Sequence, residues 1–227
     1  LLIQRYDYKA ISRKTEDGKR HYCLPDGSKV PSVTTILEAT KPESSKKALF
    51  EWRRRVGEKQ AQEITTEAAS RGTRMHTYLE HYVKDGQLRA AGSNPYAQQS
   101  HKMAEIVIKE GLANATEIWG MEVPLYCSGL YAGTSDCVGL WKTKPAILDF
   151  KQTNKPKKRE WIEDYFLQLA AYALAHNETH GTDIKNGVIL MCSKDFQFQQ
   201  FEITDTEFQK YIDAWLNRVE QYYRINT

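Results

Sequence analysis

Asp136, Asp149 and Lys151 are the residues of this 227-residue chain whose types and spacing carry the most chemistry, in the strings Gly133-Thr134-Ser135-Asp136 and Ile147-Leu148-Asp149-Phe150-Lys151. Successive side chains of a strand alternate between its faces. Asp149 and Lys151 therefore project together, about 7 Å apart along the backbone, and Phe150 points into the opposite layer. Ala146-Ile147-Leu148 reads as the buried start of that strand. Residues 131–141 read as its hairpin neighbour across Lys142-Thr143-Lys144-Pro145, which brings Asp136 beside Asp149. Two carboxylates suit a hard divalent ion such as Mg²⁺, which takes one or two protein carboxylates and completes its shell with water and phosphate oxygens. The ion lowers the pKa of a bound water, and a lysine beside it orients that water and offsets charge building on a phosphate. Alone, an Asp-x-Lys string is more often an ordinary surface ion pair.

Two helices must complete the arrangement. Residues 65–85 show helical spacing at Met75, Leu79, Tyr82 and Val83 and carry His76, with Glu80 one turn further on. A neutral imidazole is a common ligand for divalent metals, and a nearby carboxylate can orient it. Residues 161–175 read as a second helix with Gln168 and Tyr172 one turn apart on one face.

The order Gly-x-x-x-His, Gly-Thr-x-Asp, Asp-x-Lys and Gln-x-x-x-Tyr, spread over most of the chain from about Val30 to about Met191, resembles the RecB-like exonuclease branch of the PD-(D/E)XK nuclease superfamily. The nearest likeness is to the mitochondrial genome maintenance and related phage exonucleases. The resemblance implies an α/β (α+β) fold with a restriction-endonuclease-like core: a central mixed sheet flanked by helices, with an N-terminal β-hairpin and a helical embellishment. It implies metal binding by His76, Asp136, Asp149 and the backbone carbonyl of Phe150, a catalytic Lys151, and a supporting role for Gln168 and Tyr172. The expected cofactor is Mg²⁺ or Mn²⁺, one or two ions, with no iron–sulfur cluster. Glu80 and Glu122 sit where the wider family tends to carry acids and are expected to support the ligands rather than bind the ion. Gln152 and then Thr153 follow the lysine, where such exonucleases often have threonine or serine directly.

DNA contacts are expected from Trp52, Arg53, Arg54, Arg55, Arg71, Arg74, Thr153, Lys155 and Lys157. Residues 41–59 hold seven Lys/Arg against three Glu, and residues 151–159 hold five with no acid, although the whole chain is only +3. Arginines beside Phe50 and Trp52 combine phosphate-neutralising charge with rings that stack on bases. The competing reading is a solvated helix whose Leu49, Trp52 and Val56 pack inward.

Organisation along the chain fits these roles. At 227 residues and 41% hydrophobic content the expectation is a single nuclease domain. It divides into an N-terminal β appendage (1–40), a helical region carrying His76 (41–115), a catalytic sheet core (116–204) and a C-terminal helix (205–227). The appendage should hold short strands around Tyr6-Asp7-Tyr8, Glu16-Asp17-Gly18 and His21-Tyr22-Cys23-Leu24. Helices are expected over 45–64, 65–85, 96–111, 161–175 and 205–224, and strands over 117–126, 131–141, 146–152, 187–192 and 197–203. Cys23, Cys127, Cys137 and Cys192 are dispersed without a Cys-x-x-Cys, which disfavours a zinc ribbon or a cluster and predicts buried free thiols. No stretch is long and apolar enough to span a bilayer. The chain begins at Leu1, so further upstream residues are expected.

The function these readings give is a metal-dependent DNA exonuclease. It would act as a monomer on single-stranded DNA with a free end, away from membranes, with a single-strand-binding or recombination protein as a partner. The expected setting is the cytoplasm of a phage-infected bacterium or, second, the mitochondrial matrix. The alternatives are a structure-specific endonuclease or flap nuclease, and a DNA-binding module without catalysis.

Overall fold

Alternation between two apolar faces organises the main sheet. In the computed structural model, which describes residues 1–226, five strands lie in the order β4 (Ala115–Cys127), β5 (Tyr131–Trp141), β6 (Lys144–Thr153), β7 (Asn186–Ser193) and β8 (Phe198–Thr204). β6 pairs in parallel with β7 and every other pairing is antiparallel, so the sheet is mixed. The parallel step needs a crossover, supplied by α5 (Glu163–His180). On one face Val138, Ile147, Ile189 and Met191 pack against α5 and α6 (Asp205–Ile225), through Leu169, Phe208 and Trp215. On the other, Cys137, Leu148, Phe150 and Leu190 meet Met75, Leu79 and Met103, from helices described below. β6 is central and covered on both sides, which is why its first half is an unbroken apolar run.

The sheet-core segments form close to the expected bounds. Thr227, the end of the expected C-terminal segment, lies outside the described residues. The helical region differs in one respect. Instead of a helix over 45–64, α2 (Glu43–Val56) stops at Gly57, whose φ of 87° is left-handed, and α3 (Glu58–Asp85) starts at once. Glycine adopts that conformation without steric cost and ends helices for that reason. α4 (Pro95–Ile106) follows, capped by the Asn94 side chain on the Tyr96 amide.

The N-terminal part forms its own three-stranded antiparallel sheet of β1 (Ser12–Glu16), β2 (Lys19–Cys23) and β3 (Lys29–Pro31), ahead of α1 (Val33–Ala39). Asp17-Gly18, both at positive φ, is the β1–β2 turn. Tyr6-Asp7-Tyr8 is not a strand. Its tyrosines pack on Trp119, His176 and His180, and the chain before them bridges β4 at Ile118. Cys127, Cys137 and Cys192 are buried free thiols, while Cys23 is only half-buried. No helix among the described residues is long and apolar enough to cross a membrane.

His176 is fully buried, with Nε2 3.0 Å from the Tyr8 hydroxyl and Nδ1 2.8 Å from Thr182 Oγ1. Burial, and then the neighbouring His180, lower its pKa to about 4. An unfolded histidine titrates near 6.5, so between those values the unfolded chain binds the proton and the folded one does not. Stability from this group is complete above about pH 6.5 and falls as the pH drops toward 4, by on the order of 2–3 kcal/mol. Urea unfolding at pH 7 and 4.5 should show that loss in the parent and a clearly smaller one in His176→Asn. Equal losses would place the acid sensitivity elsewhere.

Candidate active site

The ladder between β5 and β6 ends at the pair Cys137 and Leu148, one residue before the two aspartates. Beyond that point Asp136 Oδ2 accepts the Phe150 amide hydrogen at 2.8 Å, a side chain taking the place of the missing backbone partner. The strands part there, and His76 on α3 reaches the opening. His76 Nε2 donates to the Phe150 carbonyl at 2.8 Å, since a carbonyl can only accept. That fixes the tautomer of the neutral ring and leaves Nδ1 facing carboxylates, 3.6 Å from Asp136 Oδ1 and 3.9 Å from Glu122 Oε1. Burial favours the neutral imidazole, but Asp136 and Glu122 outweigh it and raise the pKa to about 9.

Candidate ligand atoms of His76, Glu122 and Asp136 all lie within 4.8 Å of one another, the spacing of groups that share one ion. Glu122 has φ 51°, a left-handed backbone inside a strand and uncommon for a residue with a side chain. Such conformations collect at functional sites, where surrounding structure holds them. Glu80 instead turns to Lys84 at 2.5 Å, on the exposed side of α3.

Asp149 and Lys151 occupy the neighbouring space. Lys151 Nζ lies 2.6 Å from Asp149 Oδ2 as an ion pair and donates to Gln168 Oε1 at 3.1 Å. The Tyr165 ring stands 4.7 Å from the ammonium. Asp149 is almost completely buried, and its Oδ2 has no partner in hydrogen-bond geometry. Burial pushes its pKa up to about 6 against the pull of Lys151. Lys151 moves upward too: burial disfavours its charge, but Asp149 and Asp136 more than compensate. Three carboxylates thus face one ammonium and one imidazole. This oxygen-rich set, with a buried carboxylate held only by an ammonium, fits a hard divalent cation.

Tyr172 sits deeper. A Cβ on Gly133 would lie 2.7 Å from its ring, so the glycine of Gly-Thr-x-Asp is what lets the tyrosine of Gln-x-x-x-Tyr pack under β5. Thr153 donates its hydroxyl to the Lys155 carbonyl and shapes the end of β6. Arg71 is buried, with its guanidinium on Gln152 and Asn154, and Arg74 holds Glu67 and Ser100. Arg53 pairs with Glu58, whereas Arg54 and Arg55 are exposed. α2 buries no residue, and Leu49 and Phe50 are exposed, so the inward packing of Leu49 in the competing reading does not occur. The opening toward α2 is lined by Trp52, Lys155 and Lys157.

Tyr165 and Glu122 are the neighbours that sequence reasoning undervalued. Tyr165 is three residues before Gln168 on one helix face, a signal available from spacing. The left-handed backbone of Glu122 leaves none.

No family model matches the chain. Among curated proteins, mitochondrial genome maintenance exonuclease 1 of Xenopus tropicalis is 29% identical over 98% of this chain and 65% of its own length. The Mus musculus and Homo sapiens proteins of the same name are 28% and 26% identical, each over 85% of this chain. The chain spans 58% to 65% of the length of these relatives. With the mixed sheet and the parted carboxylate strands in view, the chain is similar over most of its length to mitochondrial genome maintenance exonuclease 1.

Proposed function

We propose that this chain is a divalent-metal-dependent deoxyribonuclease that hydrolyses phosphodiester bonds in single-stranded DNA from a free end. The observation that carries the reading is the convergence of His76, Glu122, Asp136 and Asp149 with Lys151 where β5 and β6 part. His76, Glu122 and Asp136 would hold Mg²⁺ or Mn²⁺, with Asp149 at its border. When bound, the ion would acidify a water and neutralise phosphate charge. Lys151, kept protonated by the aspartates, steadies the attacking water and the charge that grows on the phosphate. Gln168 and Tyr165 hold the ammonium in place. The Phe150 carbonyl orients His76 and has a second lone pair free for the ion.

Arg54, Arg55, Trp52, Lys155 and Lys157 are our choice for guiding the strand, and Arg71 and Arg74 brace the helix that carries His76. The relatives' name supports a mitochondrial-type DNA maintenance setting over phage processing.

Incubation with Mg²⁺ of linear and covalently closed single-stranded DNA of one sequence tests the end requirement. The expected result is loss of the linear form alone. Loss of both makes the chain an endonuclease, and loss of neither, with Mn²⁺ also tried, leaves a DNA-binding module.

A further inference from the structure

Beside the catalytic strand lies a groove of about 460 Å³ whose wall carries Trp52, Arg71, Asn154, Lys155, Lys157 and Lys194. Lys194 comes from the turn between β7 and β8, which no sequence pattern singled out. Two hydrogen bonds fix its backbone: its amide donates to the Thr153 carbonyl at 2.8 Å, and its carbonyl accepts from Gln99 at 3.2 Å. The turn is thereby tied to the end of the strand that bears Lys151. Opposite it, buried Arg71 anchors Gln152 and Asn154, setting the course of the loop that carries Lys155 and Lys157. The Lys157 amide is further held by Gln199 Oε1 at 2.7 Å.

The three lysine backbones are thus positioned, while no carboxylate pairs with their ammoniums among the described residues. Glu67, the one acid on the wall, is taken by Arg74 at 3.1 Å. Arg71 stands five residues before His76 on the same helix, about 7.5 Å along its axis, and the loop carrying Lys155 and Lys157 continues directly from the strand that bears Lys151. Unpaired cations around a hollow with an indole on its wall match a phosphate joined to an aromatic base.

We propose that this groove is a subsite for one nucleotide of a single-stranded nucleic acid, its phosphate held by Lys155, Lys157 and Lys194 and its base laid against Trp52. The proposal rests on the nuclease reading for its substrate, and its test separates the two. Binding of fluorescent oligothymidylate is measured in EDTA by anisotropy across a salt series, for the parent and a Lys155→Ala/Lys194→Ala variant with matched thermal melts. The variant should bind at least about tenfold more weakly, and its salt slope should fall by about 1.4, the release expected for two lost ammonium contacts to a single strand. In Mg²⁺ its KM should rise while kcat stays within about twofold, because neither lysine touches the proposed reacting atoms.

A neutral methylphosphonate placed at successive linkages should weaken the parent at one position near the cut and leave the variant indifferent there. Trp52→Phe should retain binding that Trp52→Ala loses. Unchanged affinity and salt slope in the double variant, or no binding by the parent, overturns the subsite. A parent that binds and shows these variant effects but never cleaves sinks the nuclease reading and leaves the subsite supported.

Discussion

Lys151→Ala should lower kcat for single-stranded DNA by about a thousandfold or more, in the range seen when a preorganised charge-stabilising group is removed. Metal-dependent DNA binding should survive. The ammonium lies against Asp149 and is aimed by Gln168 and Tyr165, a placement suited to charge that would appear in the proposed reaction rather than to grip on resting substrate. Removing it has a second consequence. Asp149 is buried and its Oδ2 then loses its ion-pair partner, which destabilises the fold unless the carboxyl takes a proton or a cation arrives. The variant should therefore melt below the parent in EDTA, and Mn²⁺ should recover more of its Tm than it adds to the parent, since an ion bound only by the folded state stabilises it. Melting curves with and without Mn²⁺, beside single-turnover cleavage, check both halves. Substantial residual turnover would remove Lys151 from the chemistry, and equal Mn²⁺ responses would separate Asp149 from the ion.

Much of this site was legible because strand alternation and helical spacing are local. Ile147, Leu148, Asp149, Phe150 and Lys151 alternate between faces, and the order of the four short motifs named the elements that meet. Pairing register is not local. That the β5–β6 ladder ends at Cys137 and Leu148, so that Asp136 takes the Phe150 amide and His76 can enter, depends on contacts no window of sequence displays. Glu122 is named in the sequence only as a supporting acid, and its place among the ligand atoms is hidden for a related reason: a left-handed residue within a strand is usually a glycine or asparagine, and only the surrounding sheet holds a glutamate there. Gly57 was open to a better reading, because a glycine after a run of three arginines is an ordinary helix stop. Lys194 lies far along the chain from the motifs, and only the parallel pairing of β6 with β7 brings its turn beside Thr153.

Metal affinity should divide the acids. Asp136→Asn should weaken Mn²⁺ binding by about a hundredfold or more and remove cleavage, while the fold persists, since an amide oxygen can still accept the Phe150 N–H. Asp149→Asn should remove cleavage as well. Its neutral side chain no longer offsets Lys151, so this variant should also lose Tm where Asp136→Asn does not. Glu122→Gln is the discriminating case. A glutamate that merely supports His76 should cost about 10- to 100-fold in affinity, the scale of outer ligand partners. A glutamate that binds the ion should cost as much as Asp136 does, and the shared 4.8 Å cluster with the left-handed backbone at Glu122 makes that the expected result. Calorimetric titration of the three variants with Mn²⁺ decides it. Unchanged affinity in Asp136→Asn would dismantle the proposed centre. A loss in Glu122→Gln well short of that in Asp136→Asn would return the glutamate to orienting the imidazole, and the strain at its backbone would then serve the placement of His76 alone.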